Sequence, residues 1–231
     1  MTKEQPPQDQ IALHLAVEAK PGSDIILTGA SNASALEWLD HWPNWPGPAR
    51  SLNIFGPEGS GKSRLAQYFA TKTGAISVKQ LKSFTSDMFQ TPHLILDGVE
   101  QGTNWDAEAL FHLFNWVAEQ AGSLLILSRV PAARIGWGLR DLESRLKTAA
   151  TQEIYLPDDA YLADYLQHLF AIRQCHIPPS VLEYISSRIP RHFGFAMKLV
   201  DALDTSSLEQ KKPISLKLVK SVLAELEKHE L

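Results

Sequence analysis

The spacing of hydrophobic and polar residues changes near residue 157. Before that point, short apolar runs alternate with stretches whose apolar residues recur every three or four positions, which predicts alternating strands and helices. After it, the spacing is helical to the end, with four apolar stripes separated by Pro178-Pro179 and Lys212-Pro213. The fold class predicted is α/β, a parallel sheet with helices, followed by a small C-terminal all-α domain.

The individual elements are predicted from the same pattern. Apolar runs predict strands at 52–55, 75–78, 93–97, 123–128 and 154–156. Helical spacing predicts a helix that starts at Ser31-Asn32, a second after residue 63, a third over 79–91 and a fourth over 105–120. In the helix over 79–91, Leu81, Phe84 and Met88 would face inward. Trp42 and Trp45 lie in a proline-rich break, where they either pack in the core or contact a nucleotide base.

Composition limits the classes of function. The 231 residues carry a net charge of −4, which argues against broad contact with nucleic-acid phosphates but leaves a local basic face open. We expect no direct sequence-specific DNA binding. The single cysteine, Cys175, allows no internal disulfide. No apolar run approaches the ~20 residues of a membrane span, and the polar start lacks the features of a signal peptide. We therefore expect a cytoplasmic protein with no membrane contact.

A glycine-rich segment joins the strand at 52–55 to the following helix. It reads Gly56-Pro57-Glu58-Gly59-Ser60-Gly61-Lys62-Ser63, and Arg64 continues it into the helix. Glycines let successive backbone N–H groups point inward at an anion, and the helix N-terminus adds its positive dipole end. The sequence predicts a nucleotide site in which Lys62 reaches the β- and γ-phosphates and Ser63 ligates Mg²⁺.

An aspartate stands at the end of the apolar run at 93–97. In a chain with a phosphate loop, Asp97 has the position of a Walker B acid, which holds Mg²⁺ directly or through water. The alternative is an ordinary Asp97-Gly98 turn.

The segment at 10–15 has alternating apolar residues. In an extended peptide, Ile11, Leu13 and Leu15 would share one side, which suits docking in a groove of a partner protein. The alternative is a first edge strand of the core. With Gln10, the segment resembles the sliding-clamp-binding motif of bacterial replication proteins.

Several spaced motifs resemble the AAA+ core of the bacterial replication initiator DnaA. They are residues 28–33, the glycine-rich loop, residues 142–146, and residues 187–191 followed by an apolar helix. The combination of an initiator-like core, no DNA-reading domain after it and a clamp-like peptide before it resembles the DnaA regulatory inactivator (Hda) family in its alphaproteobacterial form. The implied organisation is a tail with the clamp peptide at 1–19, an AAA+ nucleotide-binding domain at 20–156 and a helical lid at 157–231.

The resemblance implies a role for several residues. Arg145 matches the arginine finger, with a surface ion pair to Glu143 or Asp141 as the alternative. Arg191 matches the sensor 2 arginine, with a solvated position beside Arg188 as the alternative. Ser128 falls at the γ-phosphate-sensing position or is a simple strand end. Lys62 and Ser63 match the Walker A pair, and Asp97 matches the Walker B acid. The clamp peptide is matched by Gln10, Ile11, Leu13 and Leu15.

The implied function is negative regulation of replication initiation. The protein would hold ADP or ATP with Mg²⁺ and bind the DNA polymerase III sliding clamp (beta subunit). It would insert Arg145 at the nucleotide of ATP-bound DnaA. Formation of a homodimer is a further alternative. The competing interpretation is an AAA+ ATPase of the helicase-loader kind. Three residues depart from the family pattern: Gly98 replaces a second acid, Arg129 follows Ser128 where initiators carry an acid, and His14 interrupts the clamp peptide. Without a second carboxylate, we expect weak or absent intrinsic hydrolysis and tight ADP binding.

Overall fold

The computed structural model describes residues 28–100 and 102–229. The part before residue 157 contains α1 (Ala33–Asp40), β1 (Ser51–Phe55), α2 (Lys62–Thr73), β2 (Ile76–Val78), β3 (His93–Asp97), α3 (Ala107–Glu119), β4 (Ser123–Ser128), α4 (Arg140–Lys147) and β5 (Ala150–Glu153). The part after it contains α5 (Asp159–Ile172), α6 (Pro179–Ser186), α7 (Phe193–Gln210) and α8 (Leu216–His229). Short 3-10 helices occupy Gly102–Asn104 and Ala132–Arg134.

The five strands form one parallel sheet in the order β2-β3-β4-β1-β5. Phe55 of β1 pairs with Ser128 of β4, and Asp97 of β3 pairs with Leu127 of β4. The carboxyl ends of β1, β3 and β4 therefore meet at one edge, which is where parallel α/β sheets bind ligands. The predicted α/β fold class is confirmed.

Both faces of the sheet are covered. Every residue of β4 is buried, and alternate residues enter different cores. Leu124 and Ile126 pack with α3 and α4, whereas Leu125 and Leu127 pack with α1 and α2. A strand that is buried on both faces explains the continuous apolar run that predicted it.

The four predicted C-terminal helices are present and share a separate core. Leu162, Leu166, Ile185 and Leu199 are among its fully or almost fully buried residues. The sequence predicts a third apolar stripe of Phe193, Met197, Val200 and Leu203, and Met197 is the exception because 43% of it is exposed. This methionine faces a cavity rather than the helical core.

The helix predicted over 79–91 is wrong. This segment is irregular apart from a bridge between Leu81 and Trp105. The Leu81 amide donates to the carbonyl of Asn104 at 2.9 Å, and its carbonyl accepts from the Asp106 amide at 2.8 Å. Leu81 is buried as predicted, but Met88 is 49% exposed. Contacts with a segment distant in sequence therefore replace the helical hydrogen bonds.

The last strand lies earlier than the predicted 154–156. β5 pairs residues 150–153 with β1, although it carries little apolar sequence signal. The amide of Ile154 still donates to Phe55 at 2.8 Å, but the amide of Tyr155 turns to the carbonyl of Ser31. Tyr155 and Leu156 are exposed, so the apolar run marks the exit from the sheet.

The two tryptophans in the proline-rich break pack in the core. Trp45 is buried and stacks on Phe69 of α2 with ring centroids 4.9 Å apart. Trp42 contacts the edge of the same ring and donates from its indole nitrogen to the Ser123 hydroxyl at 3.0 Å. Of the two alternatives raised by the sequence, packing is the one observed.

Candidate nucleotide-binding site

A cavity of about 380 Å³ lies where the sheet edge meets the C-terminal helices. The glycine-rich loop, the ends of β3 and β4, and residues of α5 and α7 form its walls. Of the predicted site residues, the structure places Glu58, Gly59, Gly61, Lys62, Ser63, Arg64, Asp97 and Ser128 on these walls.

The glycine-rich loop has the backbone shape that its sequence predicts. Gly59 and Gly61 have φ values of +79° and +97°, which residues with a Cβ rarely adopt. Gly61 directly precedes the first residue of α2, so the N-terminus of the helix opens at the cavity. Ser60 is buried and its hydroxyl donates to the carbonyl of Pro57 at 2.7 Å, which closes the loop.

Lys62 supplies a partly buried positive charge. Its Nζ donates to the carbonyls of Gly56 and Pro57 at 2.7 and 2.8 Å. Burial lowers the pKa of Lys62, and the nearby carboxylate of Glu100 opposes that shift most strongly. A ligand phosphate would be a better acceptor than these carbonyls, so Lys62 can exchange its hydrogen bonds with them for hydrogen bonds to phosphate.

The residues predicted to hold Mg²⁺ lie on the same cavity wall. Ser63 is the second residue of α2, and Asp97 is the last residue of β3. A hydroxyl and a carboxylate are oxygen donors of the kind Mg²⁺ prefers, with phosphate and water completing its shell. The buried Oε2 of Glu100 has no hydrogen-bond partner in the described part of the chain, so the wall also has an unused acceptor. The donor set therefore fits a magnesium nucleotide.

Two predicted arginines lie away from the cavity wall. The Nε and Nη2 of Arg191 donate to the two carboxylate oxygens of Asp159, both at 2.7 Å. Arg145 is half-buried on α4, whose Leu142 and Leu146 enter the core. Within residues 28–100 and 102–229, its guanidinium forms no ion pair, so the alternative pair with Glu143 or Asp141 is not observed.

Several wall residues have no motif that would have marked them in the sequence. Tyr165, His192 and Met197 reach the cavity from the C-terminal helices. Glu100 comes from the loop after β3. Arg129, which the sequence marked only as a departure from the family pattern, comes from the loop after β4. The only available signal was position, because residues that follow the carboxyl ends of parallel strands tend to face the ligand.

The predicted clamp-binding peptide lies outside the residues that the structure describes. Residues Gln10, Ile11, Leu13 and Leu15 of the clamp-like peptide are not among the described residues. Within the described ranges, no helix combines the length and apolar character needed to cross a membrane.

Comparison with known proteins gives one family match and several relatives. The family described as "Hda, lid domain" matches residues 158–223. DnaA of Clavibacter sepedonicus is 24% identical over 239 residues, covering 90% of this chain and 49% of the relative. An uncharacterized protein of Haemophilus influenzae is 25% identical over 186 residues, covering 74% of this chain and 80% of its own length. The chain thus spans about half the length of the DnaA relatives it matches.

Solved structures with the same fold include DnaA. Domain III of Thermotoga maritima DnaA superposes with a TM-score of 0.70 at 17% identity, covering 87% of this chain and 94% of that one. AMPPCP-bound DnaA from Aquifex aeolicus has a TM-score of 0.56 at 18% identity, covering 80% and 66%. The Thermotoga maritima RuvB branch migration motor has a TM-score of 0.59 at 16% identity, covering 76% and 61%. The chain thus resembles the Hda family in its lid and DnaA in its sequence, and it has the fold of DnaA domain III.

Proposed function

We propose that this protein binds an adenine nucleotide, ADP or ATP with Mg²⁺, and acts as a negative regulator of replication initiation. In this proposal it stimulates ATP hydrolysis on DnaA through Arg145, while the peptide at residues 10–15 holds it on the sliding clamp. The bound nucleotide serves to fix the arrangement of sheet and lid rather than to be turned over.

The cavity supports the nucleotide part of this proposal. Backbone N–H groups at the helix N-terminus, Lys62 and Arg64 offer donors to phosphates, while Ser63 and Asp97 offer oxygens to Mg²⁺. The fold is shared with a DnaA structure that contains AMPPCP, an ATP analogue. Adenine is the base we therefore expect in this cavity.

The residue after Asp97 supports weak turnover. Gly98 has a φ of +75° and its amide donates to the carbonyl of Leu127 at 3.0 Å, so the chain turns there without a side chain. A carboxylate that could orient an attacking water is missing at that position. Turnover as fast as that of an AAA+ motor would instead favour the helicase-loader alternative.

The environment of Arg145 is the observation that carries the regulatory proposal. α4 is anchored by the buried Leu142 and Leu146, while Arg145 is half-buried and its guanidinium forms no ion pair within the described residues. Since Arg145 is not on the wall of its own cavity, its charge is available to the nucleotide of a second protein. An arginine supplied in this way raises phosphoryl-transfer rates by ~10³–10⁵ in GTPases.

The ATP-bound form of DnaA is the proposed recipient of Arg145. DnaA shares this fold, so its nucleotide would lie at the edge of its own core and lid, accessible to a neighbouring subunit of the same shape. Tethering to a clamp raises the local concentration of the protein on DNA, which compensates for a weak contact with DnaA.

The test is ATP hydrolysis by DnaA in the presence of DNA-loaded clamp. Wild-type protein should accelerate it, and Arg145→Ala should reduce the acceleration by at least about 100-fold, since a finger acts in the transition state. Arg140→Ala is the matched control, because Arg140 is an exposed arginine at the start of the same helix. Full stimulation by Arg145→Ala would contradict the finger assignment, and no stimulation by wild type would contradict the regulatory function.

A further inference from the structure

The aromatic ring of Tyr184 on α6 has two cations over it. Cζ of Arg188, which follows α6, lies 4.5 Å from the ring centroid, and Nζ of Lys220 on α8 lies 5.5 Å from the same centroid. A cation at such a distance is attracted to the electron-rich face of the ring. Tyr184 is itself partly buried against the core of the lid, so it holds Arg188 and Lys220 in defined positions on the outside of the lid.

The two cations are not neutralised by neighbouring carboxylates. Arg188 and Lys220 are exposed, and among the residues that the structure describes neither forms an ion pair, although Glu183 directly precedes Tyr184. Because both lie near one ring centroid, their charges are within about 10 Å of each other, the screening length in ~0.1 M salt, and they repel each other. Lys217 adds a third exposed cation one helical turn before Lys220. An anion bound between these side chains would relieve the repulsion.

Phosphate groups of duplex DNA suit this surface. The guanidinium of Arg188 presents paired N–H donors that match the oxygens of a phosphate, and the lysine ammonium groups add positive charge. The ring of Tyr184 is partly buried and has cations over it, so it does not provide the stacking platform on which the bases of a single strand would lie. Contact with the sugar-phosphate backbone alone carries no direct information about base sequence.

A membrane surface suits the same helices less well. A helix that lies on anionic lipids buries its apolar face at the boundary between headgroups and acyl chains. The apolar face of α8 is already used, because Val219, Val222 and Leu223 pack in the core of the lid. This helix would have to leave that core before it could insert into a bilayer.

We propose that Arg188, Lys217 and Lys220 form a surface on the lid that binds the phosphate backbone of duplex DNA, with Tyr184 as their positioning residue. The overall charge of −4 restricts such contact to a local surface of this kind. The proposed function supplies only the setting: a chain tethered to a clamp on DNA would lie beside the duplex, where a few weak contacts are sufficient to orient it.

Fluorescence anisotropy of a short labelled duplex, titrated with the full chain, tests this inference. Three phosphate contacts predict a slope of about −2.7 for log affinity against log salt concentration. Arg188→Gln with Lys220→Gln should weaken binding at least about tenfold at ~25 mM salt and reduce the magnitude of the slope by about 1.8. Because neither clamp nor DnaA is present, the result does not depend on the proposed function.

Lys79→Gln with Lys82→Gln is the matched control. Both are exposed lysines of the α/β part, so this variant has the same change in net charge at a distant place in the sequence, and it should bind DNA as wild type does. Equal losses in the two double variants would mean that binding follows only net charge, which would overturn the inference. It would also be overturned if wild type did not bind the duplex, or if Arg188→Gln with Lys220→Gln kept its full affinity.

Further variants separate charge from packing. Arg188→Lys with Lys220→Arg changes both side chains but keeps their charges, so it should retain DNA affinity to within about threefold. Tyr184→Phe keeps the ring and should behave as wild type, whereas Tyr184→Leu leaves the cations without their aromatic contact and should weaken binding several-fold. If the charge-preserving variant loses as much affinity as the glutamine variant, packing rather than charge explains the effect and the inference fails.

Cosedimentation with phosphatidylglycerol vesicles distinguishes DNA from a membrane surface. Wild type and the variant Arg188→Gln with Lys220→Gln should both remain in the supernatant at a salt concentration at which only wild type binds the duplex. If wild type instead sediments with the vesicles, and the variant loses that binding while its DNA affinity is unchanged, the cations serve a lipid surface and the DNA contact is overturned.

Discussion

Gly59 and His192 are in direct contact between the phosphate loop and the C-terminal helices. A Cβ placed on Gly59 would lie 2.0 Å from Cδ2 of the His192 ring. The Phe193 amide donates to the carbonyl of Gly59 at 3.2 Å, and Nδ1 of His192 accepts from the Phe195 amide at the start of α7. The lid therefore contacts the backbone of the loop that would hold phosphate.

Gly59→Ala should separate the lid from the loop. The methyl group would require both a strained backbone at φ +79° and displacement of the His192 ring. We expect a loss of unfolding free energy of at least about 2 kcal/mol and loss of nucleotide binding. Urea unfolding and titration with ADP would measure the two effects.

Gly74→Ala is the control for backbone strain. Gly74 has a φ of +72°, but a Cβ there would meet nothing within 4 Å. It should cost only about 1 kcal/mol and leave ADP binding unchanged. Equal effects of the two substitutions on ADP binding would show that the contact with His192 has no role in the site.

The ion pair between Arg191 and Asp159 yields a second prediction. Both side chains are more than half exposed, 55% and 69%, so water screens the pair and it should add little to stability. If Arg191 turns to the nucleotide on binding, Arg191→Ala should weaken ADP or AMPPCP binding about tenfold with little change in thermal unfolding. Calorimetric titration and a melting curve are the measurements.

Asp159→Asn breaks the same pair but keeps the arginine. Its nucleotide affinity should equal or exceed that of wild type, because Arg191 is no longer held by a carboxylate. If instead both substitutions weaken binding alike, the pair itself positions the lid and the sensor role of Arg191 is lost.

The parts of the fold and site that the sequence predicted depend on local patterns. The phosphate loop is a contiguous motif between a strand and a helix, and β3 and β4 are continuous apolar runs, so a short window contains the information. The fold class followed from their alternation. Asp97 could be proposed as a ligand because it ends one of these runs.

The parts that could not be predicted depend on contacts distant in sequence. The helical spacing at 79–91 was misleading because Leu81 pairs with Asn104 and Asp106. β5 has an edge position that needs few apolar residues, so its apolar signal was weak. Neither Glu100 nor His192 belongs to a motif, and only the folded chain brings them to the cavity wall.

The peptide at residues 10–15 can be tested without a structure of that segment. If Leu13 and Leu15 enter a groove on the sliding clamp, replacing both by alanine should reduce clamp capture in a pull-down by at least about tenfold, since each buried leucine contributes roughly 1.5–3 kcal/mol. Replacing Pro6 and Pro7 by alanine controls for a general effect of changing the tail. Undiminished capture by the leucine variant would eliminate the tail as the clamp-binding element.

His93 at the start of β3 should make the protein less stable in mild acid. Its Nδ1 lies 2.9 Å from the Ser123 hydroxyl, and the Trp42 ring packs edge-on against it at 5.5 Å. Burial lowers the pKa of His93 below its usual 6.5, and the positive charge of Arg50 lowers it further. As the pH falls below 6.5, the unfolded chain therefore takes up the proton first, and stability present above that pH is lost.

His93→Gln should remove this contribution while keeping a hydrogen-bonding side chain next to Ser123. Urea unfolding at pH 7.5 and 5.5 would measure it, and the decrease in unfolding free energy should be smaller in the variant than in wild type. His168 must be considered in the same experiment, because burial also lowers its pKa and its titration acts in the same direction. The double variant with His168→Gln should therefore show the smallest decrease, and three identical decreases would mean that neither histidine couples folding to pH.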